Sequence, residues 1–337
     1  MKDTLSIKDH LGVIVDPSNN QTLLENQAIR YINVDEDNVV QLIIGVYKLD
    51  DTVKKTLNRA IAKVIKLDLG FQGLKIEFEP LKKATSVLNE AKNIVYIGVA
   101  SGKGGVGKST VAVNLAVALT RLGKRTAIID ADIYGSSVPQ LMNVAVETPS
   151  ADEEEKIIPF KNYDVELIST AFFLQPDQPI MWRGPMLGKM LNHFFYDVAW
   201  HKDTEFIVVD LPPGTGDVAM DIQKLIPQCH MLIITTPHHS ASNVAVKAGF
   251  GAKQLEHPIL GVVENLAGIP TPNGLNPIFG EGGGETVANK LETNVLSQIP
   301  IELPSDPNTG VYDMNESNGV AFLGLANKLL KILKDKA

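Results

Sequence analysis

A chain of 337 residues exceeds what one hydrophobic core comfortably serves, which predicts two domains, one of them large. With 44% apolar and 21% charged residues, disordered and fibrous classes are excluded, and no apolar run reaches the ~18 residues of a membrane span. The formal charge of -8 argues against stable nucleic-acid binding through counterion release, and the single Cys229 excludes a disulfide framework or an in-chain CxxC metal pair.

In chain order, the opening residues Met1 to Leu5 lack the apolar core of a secretory signal, which reads as a cytoplasmic protein. Residues 1–80 then form a small α+β domain, with strands expected over 28–33, 39–47 and 74–78 and a helix over 50–67. Residues 81–93 are polar and helix-permissive, and they serve as a linker to a second domain over 94–337. In that domain, apolar runs suited to buried strands recur at 94–100, 126–130, 206–210, 231–235 and 259–263, mostly with helical stretches between them. This alternation predicts an α/β fold with a mainly parallel sheet flanked by helices. The acidic run Asp152 to Glu155 reads as a solvated turn. A final helix over 320–336 places Phe322, Leu323, Leu325, Ala326, Leu329, Leu330, Ile332 and Leu333 on one face and Lys328, Lys331 and Lys334 opposite. Docking as the last element of the α/β fold explains that face more simply than a membrane-surface anchor.

The chemistry concentrates at residues 102–110. Gly102, Lys103, Gly104, Gly105, Val106, Gly107, Lys108, Ser109 and Thr110 satisfy the pattern GxxxxGK followed by Ser or Thr, with a strand before and a helix over 109–122 after. Glycines let backbone N–H groups converge on phosphate oxygens at a helix N-terminus, Lys108 neutralises the β and γ phosphates, and the Ser109 hydroxyl is an expected Mg ligand. Thr110 is placed to support the α-phosphate. The same glycines also spell GxGxxG, with Asp130 or Asp132 near the place of a ribose-binding acid, yet a dinucleotide site needs neither Lys108 nor Ser109. The run Phe206 to Asp210 is a buried-strand pattern ending in a carboxylate, and Asp210 fits the role of holding the water shell of Mg. An isolated strand-ending Asp would read as a turn or helix cap; beside this loop it reads as a site residue. The turn Gly214-Thr215-Gly216 that follows is placed to respond to a γ-phosphate.

Four motifs in order, GKGGVGKST, DADIYGSSVP at 130–139, MWRGPM at 181–186 and DLPPGTGD at 210–217, resemble the Mrp/ApbC family of P-loop ATPases, relatives of the partition and division ATPases. The resemblance spans about residues 94–310. It implies a homodimer in which Lys103 reaches the partner's nucleotide, Asp132 positions water or Mg, and Asn265 contacts adenine. Read without it, Lys103 is a solvated loop lysine and Asn265 a turn residue. Residues 8–80 resemble the small domain of SufT-like assembly factors, the match resting on Leu11 to Pro17 and the strand order. The family implies an iron-sulfur cluster and, as partners, iron-sulfur assembly factors or apo-protein acceptors.

The family's CxxC pair is missing: residues 265–274 contain no cysteine, so a Cys-ligated cluster bridging two subunits has no ligands there. Cys229 precedes an apolar strand and reads as a packed thiol, and the adjacent His238 and His239 do not converge easily on one ion. The expected activity is therefore Mg-dependent ATP binding and slow ATP hydrolysis by a homodimer acting in iron-sulfur assembly or transfer. The alternatives are a partition or positioning ATPase of the MinD/ParA kind and an ATP-sensing regulatory scaffold.

Overall fold

The computed structural model describes residues 4–26, 28–35, 37–81, 94–174, 184–215, 223 and 229–336. The linker read at 81–93, apart from Leu81, lies outside the described residues, as do residues 181–183 of the MWRGPM motif and residues 216–217 of DLPPGTGD. The chain divides into two compact units, one of residues 1–90 with 182–188 and one of residues 91–181 and 189–337.

The first unit opens with α1 (Thr4–Gly12) and a minimal hairpin, β1 (Val15–Asp16) with β2 (Gln21–Thr22). A three-stranded sheet follows, made of β3 (Ile29–Val34), β4 (Val39–Val46) and β5 (Gly73–Pro80). β3 pairs antiparallel with β4, and β4 pairs parallel with β5 across α2 (Asp51–Ala62). Asp50 starts α2 by accepting the Val53 amide at 2.8 Å, which satisfies a donor the first turn leaves free. The helix continues as a π-helical stretch over Lys63–Asp68, so the predicted helix over 50–67 is one rod with two hydrogen-bonding registers. Val53, Leu57, Ile61 and Ile65 recur every four residues and are buried in one core with Val40, Leu42 and Ile44 of β4.

The second unit is built on an eight-stranded sheet in the order β15-β12-β11-β6-β10-β7-β9-β8. Its members are β6 (Val95–Ser101), β7 (Thr126–Asp130), β8 (Phe160–Asn162), β9 (Val165–Ser169), β10 (Phe206–Asp210), β11 (His230–Thr235), β12 (Ile259–Asn265) and β15 (Val295–Ile299). All pairs are parallel except β8 with β9 at one edge. A central parallel strand is covered on both faces, so it reads as a continuous apolar run; β7 and β10 are buried at every residue. The first two strands of this unit, β6 and β7, flank β10, so the chain reverses its direction of winding there. The ends of β6, β7 and β10 then line a crevice at the sheet's carboxyl edge, where open α/β sheets bind ligands.

Helices α3 (Lys108–Arg121), α4 (Val138–Leu141), α6 (His239–Gln254), α7 (Gly283–Leu291) and α8 (Ser317–Lys336) accompany the sheet, and α5 (Gly184–Tyr196) has residues in both units. The terminal helix α8 buries Phe322, Leu325, Ala326 and Leu329, packing on α3 and β15, while the Lys328 ammonium donates to the Leu296 carbonyl at 2.6 Å. The centre of the apolar face expected from the sequence is thus covered by the protein's own fold, while Leu323, Leu330, Ile332 and Leu333 at its margins are half-buried. Among the described residues, no helix is long and apolar enough to cross a membrane.

Candidate functional site

The loop between β6 and α3 lies under a cavity of about 620 Å³ lined by Lys103, Gly104, Gly105, Gly107, Lys108, Ser109 and Thr110, with Asp132, Tyr134, Gly135 and Ser137 facing them. Pro212 and Pro213, just past β10, complete that wall. Two glycines are fixed by geometry rather than by composition. At Gly107, φ is 78°, and an added Cβ would lie 2.1 Å from the Asn265 amide nitrogen; at Gly102 it would lie 2.2 Å from the backbone of Val244 in α6. Any side chain at either place would lift the loop away from its support.

Behind the loop sits a buried charge cluster. The Lys108 ammonium lies 2.6 Å from one Asp210 oxygen and 3.3 Å from an Asp132 oxygen, and the Ser109 hydroxyl donates to the second Asp210 oxygen at 2.5 Å. Lys108 and Asp132 are each 6% exposed, and Asp210 is fully buried. Burial by itself disfavours the Lys108 ammonium, but the carboxylates of Asp210 and Asp132 outweigh it and hold the group above its usual range. Burial pushes the Asp210 carboxyl upward, opposed by Lys108 and the Ser109 hydroxyl. Asp130, also fully buried, is pushed up to about 7 by burial and then by the neighbouring Asp210 charge.

The sequence-predicted residues are distributed over three layers. Lys103, Gly104, Gly105, Gly107, Lys108, Ser109, Thr110 and Asp132 face the cavity; Asp210 stands behind Lys108 and Ser109; Gly102, Val106 and Asn265 support the loop from outside the lining. Asn265 ends β12 and donates its side-chain amide to the Val106 carbonyl at 2.8 Å, so its observed contact is with the loop. Its neighbour Glu264 is buried and accepts the Gly284 amide at 2.5 Å, complementing the N-terminus of α7. The Gly214 amide donates to the Ser101 carbonyl at 2.8 Å, fastening the turn after β10 to the end of β6. Asp130 is fully buried, accepts hydroxyl and amide donors from the 131–138 segment and does not line the cavity, so it is not presented to a ribose.

Sequence reasoning missed Tyr134, Gly135, Ser137 and the Pro212–Pro213 wall, all of which lie inside motifs it had singled out as strings. It also missed Asn114, a buried amide that joins the Thr110 and Gly310 carbonyls, each at 2.9 Å, and accepts the Tyr312 amide at 3.0 Å. No periodicity announces such a residue.

The donor set fits a magnesium nucleotide. Ser109, Asp210 and Asp132 offer hard oxygens, and the glycine backbone leaves room that a Cβ would fill. Among the described residues, no group of three or more His, Cys, Asp or Glu could hold a metal alone, which suits an ion that keeps waters and takes phosphate oxygens. A thiolate-held cluster fits poorly. Residues 269–276 form a cysteine-free hairpin of β13 (Ile269–Thr271) and β14 (Gly274–Asn276), and burial pushes the Cys229 thiol up to about 12. His238 is committed to the start of α6, where its ring accepts the Ser240 amide at 3.1 Å.

The ParA family, described as the NUBPL iron-transfer P-loop NTPase, matches residues 91–319. The chain is 37% identical over 342 residues to the iron-sulfur cluster carrier protein of Bacillus subtilis, covering 96% of both chains. It is 36% identical to the protein of the same name from Mycobacterium tuberculosis, covering 90% of this chain and 84% of the relative. Among solved structures, an Archaeoglobus fulgidus nucleotide-binding protein in complex with ADP aligns with TM-score 0.55 and 30% identity, over 72% of this chain and 89% of that one. MinD of Pyrococcus horikoshii with Mg-ADP aligns with TM-score 0.55 at 22% identity, over 72% and 99% of the two chains, a likeness of fold. On the sheet order, the phosphate loop and the match over most of its length, the chain belongs to the NUBPL iron-transfer P-loop NTPase family.

Proposed function

We propose that the protein is a cytoplasmic, Mg-dependent ATP-binding and ATP-hydrolysing homodimer that acts in iron-sulfur cluster assembly or transfer. The observation that carries the nucleotide reading is the Lys108, Ser109 and Asp210 cluster beneath a glycine-lined loop. Bound Mg supplies charge withdrawal from the phosphate oxygens. Lys108 neutralises the β and γ phosphates, the loop amides orient them, Ser109 and Asp210 fix the cation side, and Asp132 holds water opposite the leaving group. Lys103, exposed at the cavity, is the group available to a second subunit's nucleotide, in the manner of an arginine finger. Asn265 joins the nucleotide-binding set through the loop it supports.

The transfer reading is supported by relatives named as iron-sulfur cluster carriers along nearly the whole chain. With one buried cysteine per chain, this protein lacks a thiolate set of its own, so in this reading the cluster is cargo whose thiolates come from assembly factors or acceptors. The first unit, by its likeness to SufT-like domains, is the proposed docking module for them.

Anaerobic transfer from a loaded donor to an apo acceptor, followed spectroscopically with ATP, with ADP and without nucleotide, tests the reading. Acceleration by ATP that Lys103→Ala lowers about tenfold, with ATP affinity changed less than about threefold, is expected. Equal transfer in all conditions, or unaltered turnover in Lys103→Ala, would contradict it.

A further inference from the structure

Beside the site, Asp130 is a buried acid that the proposed mechanism leaves without a task. Asp130 ends β7, is fully buried, and accepts four hydrogen bonds: from the Asp132 amide at 3.2 Å, the Ser136 hydroxyl at 2.5 Å, the Ser169 hydroxyl at 2.9 Å and the Val138 amide at 3.4 Å. Three donors come from the segment that follows β7, and the fourth ends the adjacent strand β9. Ser136 and Ser169 also lie 2.7 Å from each other. The carboxylate therefore gathers the start, the middle and the end of the 131–138 segment onto the sheet.

That segment carries the cavity's far wall. Asp132 lies 3.3 Å from Lys108 and accepts the Gly135 amide at 3.2 Å, and Tyr134, Gly135 and Ser137 line the cavity while Asp130 does not. Tyr134 is 60% exposed, so little packing of its own holds this part of the wall. Ala131, Ile133 and Val138 anchor the two ends of the segment by burial, but the stretch 134–137 between them has no buried apolar side chain, and Asp130 adds three hydrogen bonds that tie the segment to the strand end.

We infer that Asp130 is a positioning residue: it fixes the 131–138 wall, and through the backbone of Asp132 the catalytic carboxylate, without touching nucleotide. The inference deepens the hydrolytic reading of the site and rests on it for its effect on turnover. The phosphate loop has its own supports in Asn265 and Val244, so loosening the wall leaves the loop intact.

The test is Asp130→Ala in the full chain, read by hydrogen exchange, MgADP titration and turnover. Exchange over 131–138 is expected to rise at least about tenfold while exchange over 102–110 stays unchanged. MgADP affinity is expected within about threefold of wild type while turnover falls at least about tenfold, because a misplaced wall costs the transition state more than the ground state. Asp130→Asn, which keeps an acceptor for the Asp132 amide, is expected to recover part of the protection and turnover. Should Asp130→Ala fail to fold, the pair Ser136→Ala with Ser169→Ala removes two donors and is expected to loosen the same segment more mildly. Unchanged exchange over 131–138 in a folded variant overturns the inference, as does loosening over 102–110 with a parallel loss of MgADP affinity. If the wild type turns over no ATP, the hydrolytic reading falls, and the exchange measurement still decides what Asp130 holds.

Discussion

Lys108→Ala is expected to weaken MgATP binding at least about 100-fold and to remove about 3–5 kcal/mol of stability from the nucleotide-free protein, two losses with one origin. In the structure the ammonium is the only cation within ion-pair distance of Asp210 and Asp132 among the described residues, and both carboxylates are almost wholly removed from water. Truncation leaves two neighbouring buried acids without a counter-charge, and a buried charge that loses its partner costs far more than the pair contributes. The same truncation deletes the charge that offsets the β and γ phosphates. The losses separate in Lys108→Ala combined with Asp210→Asn. Removing one of the stranded charges is expected to restore most of the stability, as read by denaturant unfolding, while binding stays lost in calorimetry. A single variant as stable as wild type would mean that the buried pair is not what the geometry says it is.

The second large effect concerns Asp210, whose two oxygens hold the Lys108 ammonium and the Ser109 hydroxyl at 2.6 and 2.5 Å. Those are the two groups a magnesium triphosphate requires, so in the nucleotide-free protein Asp210 competes with the ligand. Nucleotide without metal must strip both bonds and leave a buried carboxylate uncompensated. With metal, the carboxylate gains the cation's water shell as a new partner. Asp210→Asn cannot make that exchange and grips the lysine less firmly, since bonds to charged groups contribute about 1.5–3 kcal/mol each. Mg-free ADP is therefore expected to bind at least about tenfold more tightly to Asp210→Asn than to wild type, and the gain in affinity from Mg to shrink below about threefold. Turnover is expected to fall about 100-fold. Titrations in chelator and in Mg check this; unchanged or weaker Mg-free binding would show that Asp210 does not guard the loop.

Much of the second unit was legible because buried parallel strands leave unbroken apolar runs. The runs at 126–130 and 206–210 coincide with β7 and β10 to the residue, and Lys108, Ser109 and Asp210 follow from motif and strand end alone. What escaped was whatever depends on partners distant in sequence. Asn114 meets Gly310 and Tyr312, Glu264 meets Gly284, and Asn265 meets Val106, and none of these contacts has a local signature. Asp130 was visible as a strand end, the first residue of a motif and a candidate ribose acid, but not as an anchor, because its serine partner on β9 becomes a neighbour only once the sheet is formed. Other omissions had signals in reach. Pro272-Asn273 turns β13 into β14, with Thr271 paired to Gly274, and a proline followed by asparagine is a turn signal present in the sequence. The short α1 and the two-residue strands β1 and β2 offer too few residues for a period to emerge.

Isothermal titration of the full chain with ADP in the presence of Mg tests most directly whether residues 102–110 hold nucleotide phosphates. Saturable binding near one nucleotide per chain is expected, with micromolar affinity or tighter, about 8 kcal/mol or more, lost in Lys108→Ala. Titration of the folded wild type that releases no heat and displaces no fluorescent nucleotide analogue would contradict it.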